Sequence, residues 1–150
     1  TTGWLNKLEE IEKLCTEKKG AFLYTSNFSL GMNIFFQLNK QLAKLMKNQN
    51  YESKIHEIHH LEKLDSPSGT AKTLANDLQE IFKKEVRITA EREENVAGTH
   101  SVIYSSAEDE IEIKHIAKNR DGFAIGALIA AKWILGKKGI FSMKDVLKIQ

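Results

Sequence analysis

The chain has 150 residues, of which 41% are hydrophobic and 28% charged, and its net charge is +2. That balance excludes a disordered chain and a strongly basic nucleic-acid binder, and the length fits one domain with a sizeable core but not a cofactor domain plus a substrate domain. The longest apolar stretch, Phe123 to Leu135, is too short to cross a bilayer and is broken by Lys132, so no membrane partner is expected. Cys15 is the only cysteine and cannot form an internal disulfide; no signal peptide is read at the start, and a cytoplasmic location is expected. Because the sequence opens at Thr1-Thr2-Gly3-Trp4 without methionine, a longer parent protein is expected as well.

Leu5, Leu8, Ile11, Leu14 and Cys15 recur at helical spacing before Gly20, which predicts a first helix. Ala21 to Thr25 is a short apolar run that reads as a buried strand entering the polar loop Ser26-Asn27. A second helix is expected to start at Asn27 or Ser29, either of which can cap it, and to bury Leu30, Ile34, Leu38, Leu42, Leu45 and Met46 along one face. Ser53 to His60 alternates, so a strand there places Ile55, Glu57 and His59 on one side and Lys54, His56, Ile58 and His60 on the other.

Pro67 is the only proline, and Ser66-Pro67 predicts a helix N-cap followed by proline at the first helical position, with Ala71, Leu74, Ala75, Leu78, Ile81 and Phe82 as the buried face. Val86 to Ala90, His100 to Ser106 and Glu110 to Ala117 read as strands, the last two joined by a hairpin around Ala107 to Asp109. Phe123 to Leu135, closed by Gly136, is a nearly all-apolar helix expected to be buried on most sides or at an interface. The order implies an α+β fold: a small mixed β-sheet covered by helices on one face, the other face left for water or a partner.

Chemistry concentrates between Glu57 and Ala71. His56-Glu57-Ile58-His59-His60 satisfies the H-E-x-x-H pattern of zinc hydrolases, but that pattern needs a helix to bring both histidines onto one metal, and here the flanks favour a strand; no metal is expected. A second reading joins His59, His60 and Lys63 to the helix start at Ser68-Gly69-Thr70. Free N–H groups at a helix N-terminus, a glycine that lets a ligand approach and a threonine hydroxyl make a seat for a carboxylate or phosphate. A histidine beside it can exchange a proton near neutral pH. The bland reading stays open at this point: Ser66, Pro67 and Gly69 merely start a helix, and the histidines and Lys63 are solvated.

The segment Glu57-Ile58-His59-His60-Leu61-Glu62-Lys63-Leu64-Asp65-Ser66-Pro67-Ser68-Gly69-Thr70-Ala71 resembles the signature of the 4-hydroxy-tetrahydrodipicolinate reductase (dihydrodipicolinate reductase) family of the diaminopimelate route to lysine. Thr1-Thr2-Gly3-Trp4, Ser26 to Gly31, Phe123-Ala124 with Gly126-Ala127, and Gly139 to Met143 extend the resemblance along the chain. It implies an oxidoreductase that uses NADH or NADPH, a small dicarboxylate substrate and a homo-oligomer, commonly a tetramer that joins sheets of neighbouring subunits. His59 and Lys63 would be the proton-transferring groups; His60, Ser68, Gly69 and Thr70 would hold the substrate; Thr1, Thr2, Thr25, Ser26, Asn27 and Phe28 would approach the nicotinamide end of the cofactor. The family's glycine-rich pyrophosphate fingerprint is absent, and Ile129 stands where other members carry arginine. The resemblance therefore implies remnants of a Rossmann-type nucleotide domain at residues 1–26 and 139–150, a substrate-binding and oligomerisation domain at 27–138, and little activity without the rest of the nucleotide domain. A non-catalytic oligomerisation and dicarboxylate-binding module is the alternative.

Overall fold

A computed structural model describes residues 4–149. After a single 3-10 turn (Leu5–Lys7), the elements run α1 (Leu8–Glu17), β1 (Ala21–Leu23), α2 (Leu30–Met46), β2 (Glu52–His59), α3 (Gly69–Phe82), β3 (Arg87–Arg92), β4 (Thr99–Ser105), β5 (Glu110–Ile116), α4 (Asp121–Trp133), β6 (Gly139–Phe141) and α5 (Met143–Leu147). The main sheet has the order β3-β2-β4-β5, with β2 and β3 parallel and the other neighbours antiparallel. It is the mixed sheet expected of an α+β domain.

Strand alternation sorts the sheet into two faces. On the inner face one cross-strand row is Ile55, Val102 and Ile113, and the next is Glu57, His100 and His115. The first row meets Met32, Phe35, Ala43 and Met46 of α2 and Ala71, Leu74, Ala75 and Leu78 of α3 in one apolar cluster, closed by Val86 and Tyr104. Fully buried side chains of this size contribute about 2 kcal/mol each by leaving water, so Leu74 or Leu78 truncated to alanine is expected to cost about 2–5 kcal/mol. The second row is polar and sits at the end of that core, nearest the start of α3.

Ser29 caps α2 by accepting a hydrogen bond from the Met32 N–H at 3.3 Å. The buried face of α2 is not the stripe expected from its leucines. Met32, Asn33, Phe35, Asn39, Ala43 and Met46 are buried, whereas Ile34 and Leu38 are exposed and Leu45 is 73% exposed. Two stripes with helical spacing compete on this helix, and the inner one includes asparagines. Asn39 is tolerated there because its side-chain N–H donates to the Leu74 carbonyl oxygen at 3.3 Å.

α3 also starts two residues later than Ser66-Pro67 suggests. Pro67 lies before the helix and its bond to Ser66 is cis; Ser68 is the N-cap and accepts from the Ala71 N–H at 3.1 Å. In the single chain α4 buries Gly126 and Ala130 and leaves Ile125 exposed and Leu128 63% exposed, with Leu135 just beyond it exposed too, so of the two expectations for this helix, burial on most sides is not met within one chain. The two ends of the chain meet, since β1 and β6 pair in parallel as a separate two-stranded sheet, Ala21 opposite Gly139 and Leu23 opposite Phe141. No described helix is long and apolar enough to cross a membrane.

Candidate functional site

Glu57 is the centre of the polar row. Its carboxylate is fully buried, and a buried charge survives only with close partners. Ser68 supplies two: its backbone N–H donates to Glu57 Oε1 at 2.8 Å, and its hydroxyl donates to Oε2. Two imidazoles close the other side, for His59 Nδ1 and His100 Nε2 each lie 3.5 Å from Oε2. His100 Nε2 is also 3.4 Å from the Ser68 hydroxyl oxygen, and the two rings meet edge to face with centroids 4.9 Å apart. Burial by itself pushes the Glu57 carboxyl up; the hydrogen bonds from His100 and Ser68 and the attraction of His59 outweigh it and hold the group at about 2.

His59 is 7% exposed, so the histidine expected at a loop mouth is tucked under it. Burial holds its ring down at about 4; the Glu57 charge opposes this, and His100, Lys63 and Arg92 add to it. It is neutral at pH 7. Beside its Nε2 edge runs Gly98, where a Cβ would stand 3.3 Å from Nε2 and where the backbone φ of +148° disfavours any other residue.

The loop after β2 pairs each of its basic side chains with one of its own carboxylates. Lys63 Nζ is 2.6 Å from Asp65 Oδ1, and His60 Nδ1 is 2.9 Å from Glu62 Oε2. Both are half-buried rather than freely solvated. Arg92, at the end of β3, ties this loop to the sheet by donating to the Asp65 carbonyl oxygen at 2.7 Å and to that of Lys63 at 3.4 Å. Gly69 is exposed at the first turn of α3, nothing lies within 4 Å of where its Cβ would be, and Thr70 follows half-buried. Ser68 by contrast points inward, with its hydroxyl and amide both spent on Glu57.

Sequence reasoning missed Glu57, His100 and Arg92. The strand alternation that put Glu57 and His59 on one face was the signal for the first. His100 required the β2–β4 register, in which it stands opposite Glu57, and Arg92 required the parallel pairing that sets it opposite His59.

The H-E-x-x-H pattern does not assemble. His56 faces away from Glu57 and pairs with Thr89 Oγ1 at 2.9 Å on the outer side of the sheet, and His60 turns to Glu62. Among the described residues a different trio, Glu57, His59 and His100, could offer a cation three ligand atoms, all within 4.8 Å of one another. The carboxylate there already accepts from Ser68.

Of the residues expected near the cofactor, Thr1 and Thr2 lie outside the described residues. Thr25 to Phe28 form the turn from β1 to α2. The Thr25 hydroxyl donates to the Asn27 carbonyl oxygen at 3.0 Å, the Asn27 side chain accepts from the Ser29 N–H at 2.8 Å, and Asn33 donates to the Asn27 carbonyl oxygen at 2.8 Å. Asn27 is thus a buried brace of the turn, while Ser26 is exposed and Phe28 half-exposed. A pyrophosphate seat does not fit here: the turn holds no glycine before Gly31, whose own Cα backs onto His115 Nε2, 3.1 Å from a built Cβ.

The fold and the site together define an α+β domain in which a buried carboxylate–histidine cluster lies beneath the start of a helix. Residues 31–147 match the family model described as dihydrodipicolinate reductase, C-terminus. A 4-hydroxy-tetrahydrodipicolinate reductase of Christiangramia forsetii is 51% identical over 98% of this chain and 67% of its own length. One from Aquifex aeolicus is 40% identical over 98% of the chain and 62% of its own length. In structure, the chain is similar in fold to a dipicolinate-bound dihydrodipicolinate reductase from Paenisporosarcina sp. TG-14, with a TM-score of 0.75 at 19% identity over 93% of this chain and 60% of that one. The chain belongs to the dihydrodipicolinate reductase family, matching its C-terminal part, and it spans about two thirds or less of these relatives.

Proposed function

We propose that this chain supplies the substrate site for the NADH- or NADPH-dependent reduction of 4-hydroxy-tetrahydrodipicolinate to tetrahydrodipicolinate in diaminopimelate and lysine biosynthesis. The observation that carries this reading is the Ser68 bridge. The residue that caps α3, where a carboxylate can be seated, donates twice to the carboxylate that faces His59. Anion seat and proton-exchanging ring are built as one unit.

In this reading the α3 amides at Gly69 and Thr70, with His60 and Lys63, hold a substrate carboxylate. The nicotinamide supplies the hydride when bound; Thr1, Thr2, Thr25, Ser26, Asn27 and Phe28 border it, and its pyrophosphate is held outside residues 4–149. His59, as proton donor or acceptor, and Lys63, as a second proton donor, would handle the proton that the reduced, electron-rich ring must take up. Lys63, paired with Asp65, and His60, paired with Glu62, would each turn from an acidic partner to meet a dianion.

The pairing of β1 with β6 supports assigning residues 1–26 and 139–150 to the edge of a nucleotide domain and 27–138 to substrate binding and assembly. β5, an edge strand with Ile111 and Ile116 exposed, and the exposed apolar residues of α4, Ile129 among them, support a homo-oligomer, with a tetramer as the family form. A cytoplasmic location goes with this activity.

The test is NAD(P)H oxidation with freshly prepared substrate, using protein that includes a nucleotide-binding portion. A His59→Gln, Lys63→Ala double variant is expected to lose at least about a hundredfold in turnover, the ordinary contribution of general acid–base groups. Full activity in that variant removes the site assignment. That the described β1–α2 turn does not fit a pyrophosphate goes with one second reading, a non-catalytic dicarboxylate-binding and oligomerisation module. Calorimetry with pyridine-2,6-dicarboxylate and light scattering on the chain, set beside the oxidation assay, separate the two: binding and assembly with no turnover in any context support the module.

A further inference from the structure

We propose that Glu57 is a positioning residue that keeps the proton of neutral His59 on Nδ1, so that Nε2 is the nitrogen through which His59 exchanges a proton with substrate. The inference rests on the role given to His59 above and adds to it the identity of the working atom and the group that sets it.

A neutral imidazole carries one N–H, and the group facing each nitrogen decides where it sits. His59 Nδ1 looks at an ionised carboxylate oxygen 3.5 Å away. A lone pair there would face a negative charge, whereas an N–H is attracted to it. Nε2 lies on the other side of the ring, beside Gly98, where no side chain intervenes. The charged groups on every element around the ring agree with this arrangement. Glu57 on β2 is the negative group that acts on it most, His100 on β4 turns its Nε2 to the same oxygen, and Lys63, itself paired with Asp65, and Arg92 add positive charge. Among the described residues Nδ1 is buried without a hydrogen bond, and Glu57 Oε2 at 3.5 Å is the acidic atom that faces it. When Nε2 accepts a proton, the imidazolium forms against a carboxylate that is already ionised, and when Nε2 gives it up the ring returns to the same tautomer.

Ser68 makes the arrangement testable with an isosteric change. Its backbone N–H cannot rotate and donates to Oε1, so in Glu57→Gln the amide oxygen takes the Oε1 position and the NH2 group takes that of Oε2. Donors would then face His59 Nδ1, and the ring is expected to flip to the Nε2–H tautomer, which cannot accept a proton at the working nitrogen. The Ser68 hydroxyl can turn to accept, so the fold keeps its hydrogen bonds.

The experiment is a long-range proton–nitrogen correlation spectrum of the histidine-labelled chain, with His59 assigned by its loss in His59→Gln. The expected result is Nδ1–H in the wild-type chain at pH 7 and Nε2–H in Glu57→Gln. In protein with a nucleotide-binding portion, kcat should fall at least about tenfold in Glu57→Gln with KM for the dicarboxylate changed less than about threefold. An Nε2–H tautomer in the wild type overturns the inference without any variant having to fold. Turnover unchanged in Glu57→Gln but lost in His59→Gln overturns it while leaving His59 its role, whereas turnover unchanged in His59→Gln defeats the underlying reading itself.

Discussion

A Cβ placed on Gly126 would lie 1.8 Å from the carbonyl oxygen of Phe28. α4 therefore backs directly onto the β1–α2 turn, with no side chain between them, and the obstacle is backbone that cannot rotate away. Gly126→Ala must shift either the helix or the turn. Overpacking of this kind typically costs about 1–3 kcal/mol, and here the upper end is expected because the turn is also braced by Asn27. Gly122→Ala is the control, since its Cβ would meet only the Ser29 hydroxyl at 3.8 Å. Urea midpoints should fall for the first variant and stay within error or rise for the second.

Acid should destabilise the chain through His59 as pH falls below neutrality. The ring is held at about 4 in the fold, by burial first, against an ordinary value of about 6.5 when unfolded. Between those values the unfolded chain binds the extra proton, so stability rises with pH across that window and is lost as pH falls through it. From pH 7 to pH 5 the loss is about 2 kcal/mol, an order-of-magnitude figure from the same linkage. His115 is shifted in the same direction, by burial and then by His100, and adds to the slope. Equilibrium unfolding at the two pH values should therefore show a smaller difference in His59→Gln than in the parent, though not zero. An undiminished slope would mean that His59 is not held neutral.

Much of this arrangement could be read from the sequence, and the remainder has physical reasons for being hidden. The alternation from Ser53 to His60 placed Glu57 beside His59 because strand period alone sets facing, and the apolar face of α3 followed from its spacing. The buried face of α2 did not follow, because hydrophobic spacing cannot tell an inward stripe containing Asn39 from an outward one of leucines; the Leu74 carbonyl that satisfies Asn39 is a tertiary partner. The same limit hid the start of α3. Ser66 and Ser68 are equally good caps locally, and what selects Ser68 is a carboxylate eleven residues earlier in the chain.

Arg92 should matter to ligand binding more than to stability. Its guanidinium holds the carbonyl oxygens of Lys63 and Asp65, which fixes the loop carrying Lys63, yet the side chain is only partly buried. A planar fork holding two acceptors is not replaced by a point charge. Arg92→Lys is thus expected to weaken pyridine-2,6-dicarboxylate binding about tenfold, or about 1.4 kcal/mol, while shifting unfolding free energy by less than about 1 kcal/mol. Calorimetric titration and urea denaturation of the same preparation check both halves. Equal affinity in parent and variant would remove Arg92 from the loop-holding role.

The ion pair between α2 and α3 offers a test of how the two covering helices are locked. Lys40 Nζ lies 2.9 Å from Asp77 Oδ1, and Asp77 is only 8% exposed with its second oxygen unpaired. Burial raises the Asp77 carboxyl above its usual range, against the pull of Lys40. Removing the lysine leaves an uncompensated buried charge, so Lys40→Met should destabilise the fold by about 3 kcal/mol at pH 7. The sign of its pH dependence is opposite to that of His59. A carboxyl whose folded value lies above its unfolded one is protonated preferentially in the folded state, so the variant should regain stability relative to the parent as pH falls towards that raised value. Adding Asp77→Asn to Lys40→Met should restore most of the loss at pH 7. If the double variant is as unstable as Lys40→Met alone, the cost comes from lost packing of the lysine stem rather than from the stranded carboxylate.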